Sequence, residues 1–332
     1  MAKIFEPNDH GVSQLINSPN KWAYELYDKA MSNHWVPKEI DMSPDVKQWH
    51  SGDITEDEKL LVKRTLGLFA SGESMVSNSV AMVEFKYITD GSCRQYMLKK
   101  QFEEGLHNST VKICCESLSL EIEDVAEAYI NIKSIAAKNA FLNRSLNSFD
   151  NDFDISTDAG KRVFLKNMAV YYIICEGIWF FSNFALILSL GRQGKLLALC
   201  DQIFYTMRDE SLHVEYGSGV VETAKRDYPK LWTKALQEEI VGLVREGVDL
   251  EVDYAKEILP NGILGVNSEL LSRYTRYLAD MRLESIGLEP IYSERNNPFP
   301  WLAEAQDVSG EAAFFERREK SYQHSSSLKD DF

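Results

Sequence analysis

The chain is poor in the features that announce most other protein classes. Among 332 residues there are six histidines and five cysteines, and 36 Lys and Arg are outnumbered by 51 Asp and Glu. The formal charge of −15 argues against a nucleic-acid surface, because a phosphate backbone would be repelled. The cysteines, Cys93, Cys114, Cys115, Cys175 and Cys200, have no zinc-ligand spacing. Their odd number, their apolar neighbours and the lack of a signal peptide at the start point to reduced core thiols and a cytoplasmic protein. Strand-like alternation is scarce, and no Gly/Ser linker, internal repeat or composition break divides the chain before its last segment. One long apolar run exists, 168–190 (MAVYYIICEGIWFFSNFALILSL). Its length would suit a membrane span. However, it is the only such run, it contains Ser182 and Asn183, and no second span could shield Glu176 near its middle. A buried bundle helix, apolar all round, is the better reading, and no membrane is expected.

What fills the chain is apolar spacing of helical period. It predicts helices over 56–86, 92–120, 123–147, 160–189, 195–224 and 230–258, with shorter ones around 267–286 and 299–305. Turn signals at Asp90-Gly91, Asn147 to Asp154, Gly191 to Gly194, Tyr228-Pro229 and Pro260-Asn261-Gly262 support these cuts. The expectation is an all-α fold in one domain over 1–306, with 1–20 poorly ordered, followed by a flexible tail over 307–332. That tail contains Ser325-Ser326-Ser327 and ends Leu328-Lys329-Asp330-Asp331-Phe332, too little apolar surface to fold alone. It reads either as a frayed terminus or as a docking peptide anchored by Leu328 and Phe332 in a groove on a partner.

Two copies of one pattern, Glu-x-x-His, carry the chemistry: Glu104 with His107, and Glu210 with His213. Residues three apart share a helix face, so each copy aims a carboxylate and an imidazole at one point. Taken singly, either copy reads equally well as a surface Glu beside a capping or core His. Two copies on two helices, joined by a lone Glu from each of two more, match the ligand arrangement of ferritin-like dimetal carboxylate bundles. Glu176 supplies one lone Glu, since a carboxylate inside so apolar a run must be neutralised, paired or metal-bound. Glu73 supplies the other: it falls on the stripe of Phe69, Val76 and Val80, although its neighbours Ser71, Gly72 and Ser74 also suit an exposed Glu. Glu84, one turn past Val80, is the weaker alternative.

Longer motifs go further. The chain resembles the radical-generating small subunit of class I ribonucleotide reductase in WVPKEID at 35–41, FEEGLH at 102–107 and YYIICEGI at 171–178. The likeness continues in MRDESLH at 207–213, PNGILG at 260–265 and NPFPW at 297–301. The resemblance implies a ferritin-like four-helix bundle with additional helices and a dinuclear metal centre in its core. Glu73, Glu104 and His107 would serve one metal and Glu176, Glu210 and His213 the other, with Glu104 and Glu210 bridging. Asp209 would accept the free ring N–H of His107, fixing its tautomer. Trp35, otherwise a core tryptophan, would relay an electron through Asp209 and His107, and Tyr322 in the tail would pass the oxidising equivalent to a separate large catalytic subunit. A homodimer is also implied, with ribonucleotides, usually diphosphates, reduced in the partner.

One departure changes the expected chemistry. Most members of the family carry a tyrosine four residues after the first ligand His, and that tyrosine is oxidised to a stable radical. Here the position is Val111, which has no accessible one-electron oxidation. Either the chain is inactive or the oxidant is stored on the metals. Retention of all six ligands with Trp35, Asp209 and Tyr322 favours storage. Glu73, where tyrosyl-radical members usually have Asp, and the missing tyrosine resemble the tyrosine-less subclass with a manganese–iron pair. Dimanganese and diiron centres are the alternatives, since such a donor set suits both metals. Tyr205 resembles an extra tyrosine that this subclass uses during activation by oxygen, or is a packed bundle tyrosine. A related ligand-binding manganese–iron oxidase is a rival reading, but its cross-linking Val is Met75 here, opposite Tyr171. A ferritin-like storage protein is the second rival, which would need neither Trp35 nor a docking tail.

Overall fold

The computed structural model describes residues 3–6, 11–149 and 152–302. Contacts divide the chain into two compact units, Met1–Arg295 and Asn296–Phe332, and the helices named below belong to the first. The expected boundary at 306/307, the tail and Tyr322 lie outside the described residues. Among the described residues there is no strand, only one isolated bridge between Ile263 and Val266. The fold is all-α.

Among the described residues, nine helices of nine residues or more organise the first unit: α1 Lys21–Ser32, α2 Ser43–Ser51, α3 Glu56–Ser79, α4 Gly91–Ser117, α5 Lys133–Leu146, α6 Asp158–Gly191, α7 Leu197–Asp227, α8 Lys234–Ile258 and α9 Ser268–Ser285. Polar caps set several starts. Thr55 and Glu58 form a capping box at α3, each bonding the other's backbone N–H, and Asp90, Thr233 and Asn267 cap α4, α8 and α9. The helices α1 and α2 were not among those expected. The stretch expected as one helix over 123–147 is instead two single turns, Ile122–Val125 and Ala128–Asn131, followed by α5. The break falls at Ile132, whose backbone is extended (φ −102°, ψ 112°), in a stretch where Ile130, Asn131 and Ile132 are all indifferent helix formers. Of the first 20 residues, expected to be poorly ordered, Ile4 and Phe5 are buried, and Phe5 meets Phe164 with ring centroids 4.9 Å apart.

Two helices are wound unusually. The helix α3 continues into a π-helical turn over Val80–Glu84, and α6 is π-helical over Ala169–Phe180 between its α-helical ends. A π-stretch shifts the faces of a helix and frees carbonyls from its ladder, and it recurs at functional sites. Gly177 O in this stretch accepts from Arg282 Nε of α9 at 3.0 Å. The helix α6 is long and apolar enough to cross a membrane, but its apolar window is wholly buried inside the protein, as the bundle reading expected. It lies close against α7 because position 217 is glycine. A Cβ there would sit 2.2 Å from Cγ of Tyr172.

Candidate metal centre

Four helices bring the candidate ligands together. Glu73 comes from α3, Glu104 and His107 from α4, Glu176 from the π-stretch of α6, and Glu210 and His213 from α7. All six are buried, with relative exposures of 0–1 %. They form two overlapping groups whose ligand atoms lie within 4.8 Å of one another: Glu73, Glu104, His107 and Glu210, and Glu104, Glu176 and His213. Glu104 belongs to both. Glu210 faces both imidazoles, with Oε1 3.1 Å from His107 Nδ1 and Oε2 3.2 Å from His213 Nδ1.

The donor atoms fit a cation better than they fit one another. Glu73 Oε2, Glu176 Oε2, both oxygens of Glu104 and Glu210, and Nδ1 of both histidines are buried without a well-formed hydrogen bond. Buried polar atoms are ordinarily satisfied, and orphans concentrated at one point call for a ligand. Four carboxylates and two imidazoles are the donor set of a two-cation site. Burial pushes Glu73 up to about 8. Burial alone would lower both imidazoles, but the adjoining carboxylates outweigh it and raise them.

Each histidine turns Nε2 outward to an acid on the other helix. His107 Nε2 lies 3.4 Å from Asp209 Oδ2, and His213 Nε2 lies 3.1 Å from Glu103 Oε2. Such partners orient a ligating imidazole and raise its basicity. Asp209 had been singled out from the sequence; Glu103 had not. Its signal was present, since both copies of the pattern read acid-Glu-x-x-His, Glu103-Glu104 and Asp209-Glu210. Beyond the acids the two sides differ. Asp209 Oδ2 accepts from Trp35 Nε1 at 2.7 Å, and the buried Trp35 ring lies 5.2 Å from that of Tyr205. Glu103 pairs with Lys99 at 3.1 Å.

The remaining candidates are placed as follows. Val111 is buried on α4, one turn after His107. Glu84, the weaker ligand candidate, accepts from Tyr172 Oη and from Ser79 Oγ and is absent from both ligand groups. Tyr171, central to the ligand-binding oxidase reading, donates its hydroxyl to Leu142 O at 3.4 Å. Five cysteines are free thiols, four of them buried.

Comparison with known proteins decides the family. The model of the ribonucleotide reductase small chain matches residues 13–298. The chain belongs to the ribonucleotide reductase small-chain family. It is 42% identical over 322 residues to the ribonucleoside-diphosphate reductase subunit beta of Chlamydia pneumoniae, an alignment covering 97% of this chain and 93% of that protein. The corresponding subunit of Halalkalibacterium halodurans is 30% identical over 305 residues, covering 91% of this chain and 86% of that one. Among solved structures, the ribonucleotide reductase R2 subunit from Clostridium botulinum superposes with a TM-score of 0.81 at 25% identity, covering 92% of this chain and 99% of that one. A small subunit of this enzyme works with a large subunit, so the reductase reaction is shared between two chains. The buried carboxylate and imidazole cluster is a group that could hold metal, in a family built around a dimetal centre.

Proposed function

We propose that this small subunit holds a dinuclear manganese–iron centre, activates oxygen there, and supplies the oxidising equivalent for reduction of ribonucleoside diphosphates in its large-subunit partner. The observation that carries the metal reading is the convergence of orphaned donor atoms from Glu73, Glu104, His107, Glu176, Glu210 and His213. When bound, the metal pair would supply and store the one-electron oxidant, since Val111 offers no oxidisable side chain. Glu73 and His107 would hold one cation and Glu176 and His213 the other, with Glu104, which belongs to both groups, and Glu210, which faces both imidazoles, shared between them. Diiron and dimanganese loading are the competing compositions.

The chain's own residues would do the rest. Asp209 Oδ2 accepts from Trp35 and faces His107 Nε2, so one carboxylate oxygen ties the outward indole to the inward imidazole. An electron drawn through Trp35 toward the centre can then be matched by a proton shift at Asp209. Tyr205, in ring contact with Trp35, would serve the same path during activation. The diphosphate substrate is carried over from the names of the relatives. The 307–332 tail, with Tyr322, would dock the large subunit and hand the equivalent over, and two copies of this chain would pair. The free thiols fit a reducing cytoplasm.

The test is metal quantitation with EPR on protein matured in both metals, coupled to turnover with the cognate large subunit. One manganese and one iron per active chain are expected. Full activity with iron alone would overturn the manganese–iron assignment. Removing the last dozen or so residues should leave the metals in place and abolish turnover, and Tyr322→Phe should abolish turnover with docking retained.

A further inference from the structure

Lys100 lies one helical turn before Glu104, and its side chain is fully buried beside the carboxylate cluster. Its Nζ is 2.5 Å from Glu176 Oε1 and 3.4 Å from Glu104 Oε1, and 4.1 Å from the centroid of the Tyr172 ring. Burial alone would drive a lysine toward its neutral form. Here the attraction of Glu176, Glu104 and Glu84 outweighs burial and raises its pKa, and an ammonium seated between two carboxylate oxygens keeps its proton. Glu176 Oε1 is thereby occupied, while Glu176 Oε2 remains without a partner. Among the described residues, no Lys or Arg nitrogen lies within ion-pair distance of Glu73 or Glu210, whose charged neighbours are the histidines. The ammonium in direct contact with the candidate ligand carboxylates therefore sits beside Glu176, whereas on the His107 side the nearest guanidinium, that of Arg208, reaches only Asp209, at 3.8 Å.

We propose that Lys100 is a positioning residue that makes the two halves of the metal centre unequal. It holds Glu176 to one free oxygen and weakens divalent-cation binding at the Glu176/His213 half relative to the Glu73/His107 half. This rests on the dimetal reading above. Coulomb repulsion falls with distance, so the cation nearest the ammonium is penalised most. The built-in inequality orders loading: the Glu73/His107 half fills first, and the half beside Lys100 takes the second ion.

The test is a titration of metal-free protein with manganese(II) alone, the free ion being counted by its EPR signal. Wild type should bind in two resolved steps. Lys100→Met, which keeps most of the stem and removes the charge, should tighten the weaker step by about tenfold or more, a change of about 1.4 kcal/mol per tenfold. The stronger step should move much less. Lys100→Arg should keep the two steps apart. Lys100→Gln is a second neutral variant, polar enough to bond Glu176, and must show the same tightening if charge is the cause. Thermal unfolding of each variant verifies that it is folded. An unchanged separation in the folded neutral variants, or equal weakening of both steps, would mean that Lys100 is only a structural ion pair and would overturn the proposal. Failure of the wild type to bind manganese at all would instead sink the dimetal reading on which it stands.

Discussion

His107 and His213 both turn Nδ1 inward and Nε2 toward an acid on the other helix, yet the two acids lead to different places. Asp209 is bonded to the indole of Trp35, which touches Tyr205. Glu103 is paired with Lys99, and on the same side Lys100 contacts Glu176. An indole and a phenol can lose an electron, whereas a lysine ammonium has neither an accessible oxidation nor a basic site to offer. On the proposed function, the same local geometry would lead from His107 through Asp209 to an oxidisable indole, and from His213 through Glu103 only to the Lys99 ammonium. On that reading, function would depend less on the orientation of the candidate ligands than on what stands one residue further out.

The broadest way to break this comparison is to remove the residue common to both halves. Glu210→Ala deletes the carboxylate that faces both imidazoles, and metal content should fall from about two ions per chain to below one, as read by elemental analysis. The sharper experiment opposes the two acids. Asp209→Asn should cut turnover with the large subunit by about 100-fold or more with both metals retained, while Glu103→Gln should loosen metal by about 10–100-fold and leave transfer through Trp35 intact. Identical phenotypes for the two variants would erase the proposed asymmetry.

Trp35→Phe probes the open side without touching a ligand. It leaves Asp209 Oδ2 without its indole donor, and chemical denaturation should show a loss of about 1–3 kcal/mol, with metals still bound and turnover lost. A further effect is a pH dependence of the metal-free protein. Glu73 has its pKa raised from 4.5 to about 8 by burial, so the folded state holds a proton that the unfolded chain has released between those values. Stability should fall as pH rises across that window, by the sign of the proton-number difference. Glu73→Gln should flatten the slope in urea melts collected from pH 5 to 8.

The convergence of the candidate ligands was legible because Glu-x-x-His fixes a face, and because an isolated Glu inside an apolar run demands a partner. Asp209 and Trp35 came from family motifs. Glu103 escaped because an acid beside a ligand looks like a solvated neighbour until the crossing of α4 and α7 brings it to His213. Lys100 escaped for a related reason: a lysine in a helix reads as surface, and only tertiary packing reveals that both neighbouring faces are covered. The π-stretches of α3 and α6 were invisible to a search at the α-helical period. The single expected helix over 123–147 failed where local propensity at Ile130 to Ile132 outweighed a broadly apolar pattern. The N-terminal helices α1 and α2 lay before the region where that pattern was strong.

The crossed acids have a consequence for assembly. Asp209 on α7 sets the imidazole of α4, and Glu103 on α4 sets the imidazole of α7. The two helices thus check each other's register like the halves of a clasp. A slip of either one would misaim both rings at once, so a bundle packed one residue out of step would have no half-working site to offer. On the dimetal reading proposed above, metal capture would then act as a proofreading step on the packing itself, rewarding only the correctly threaded core.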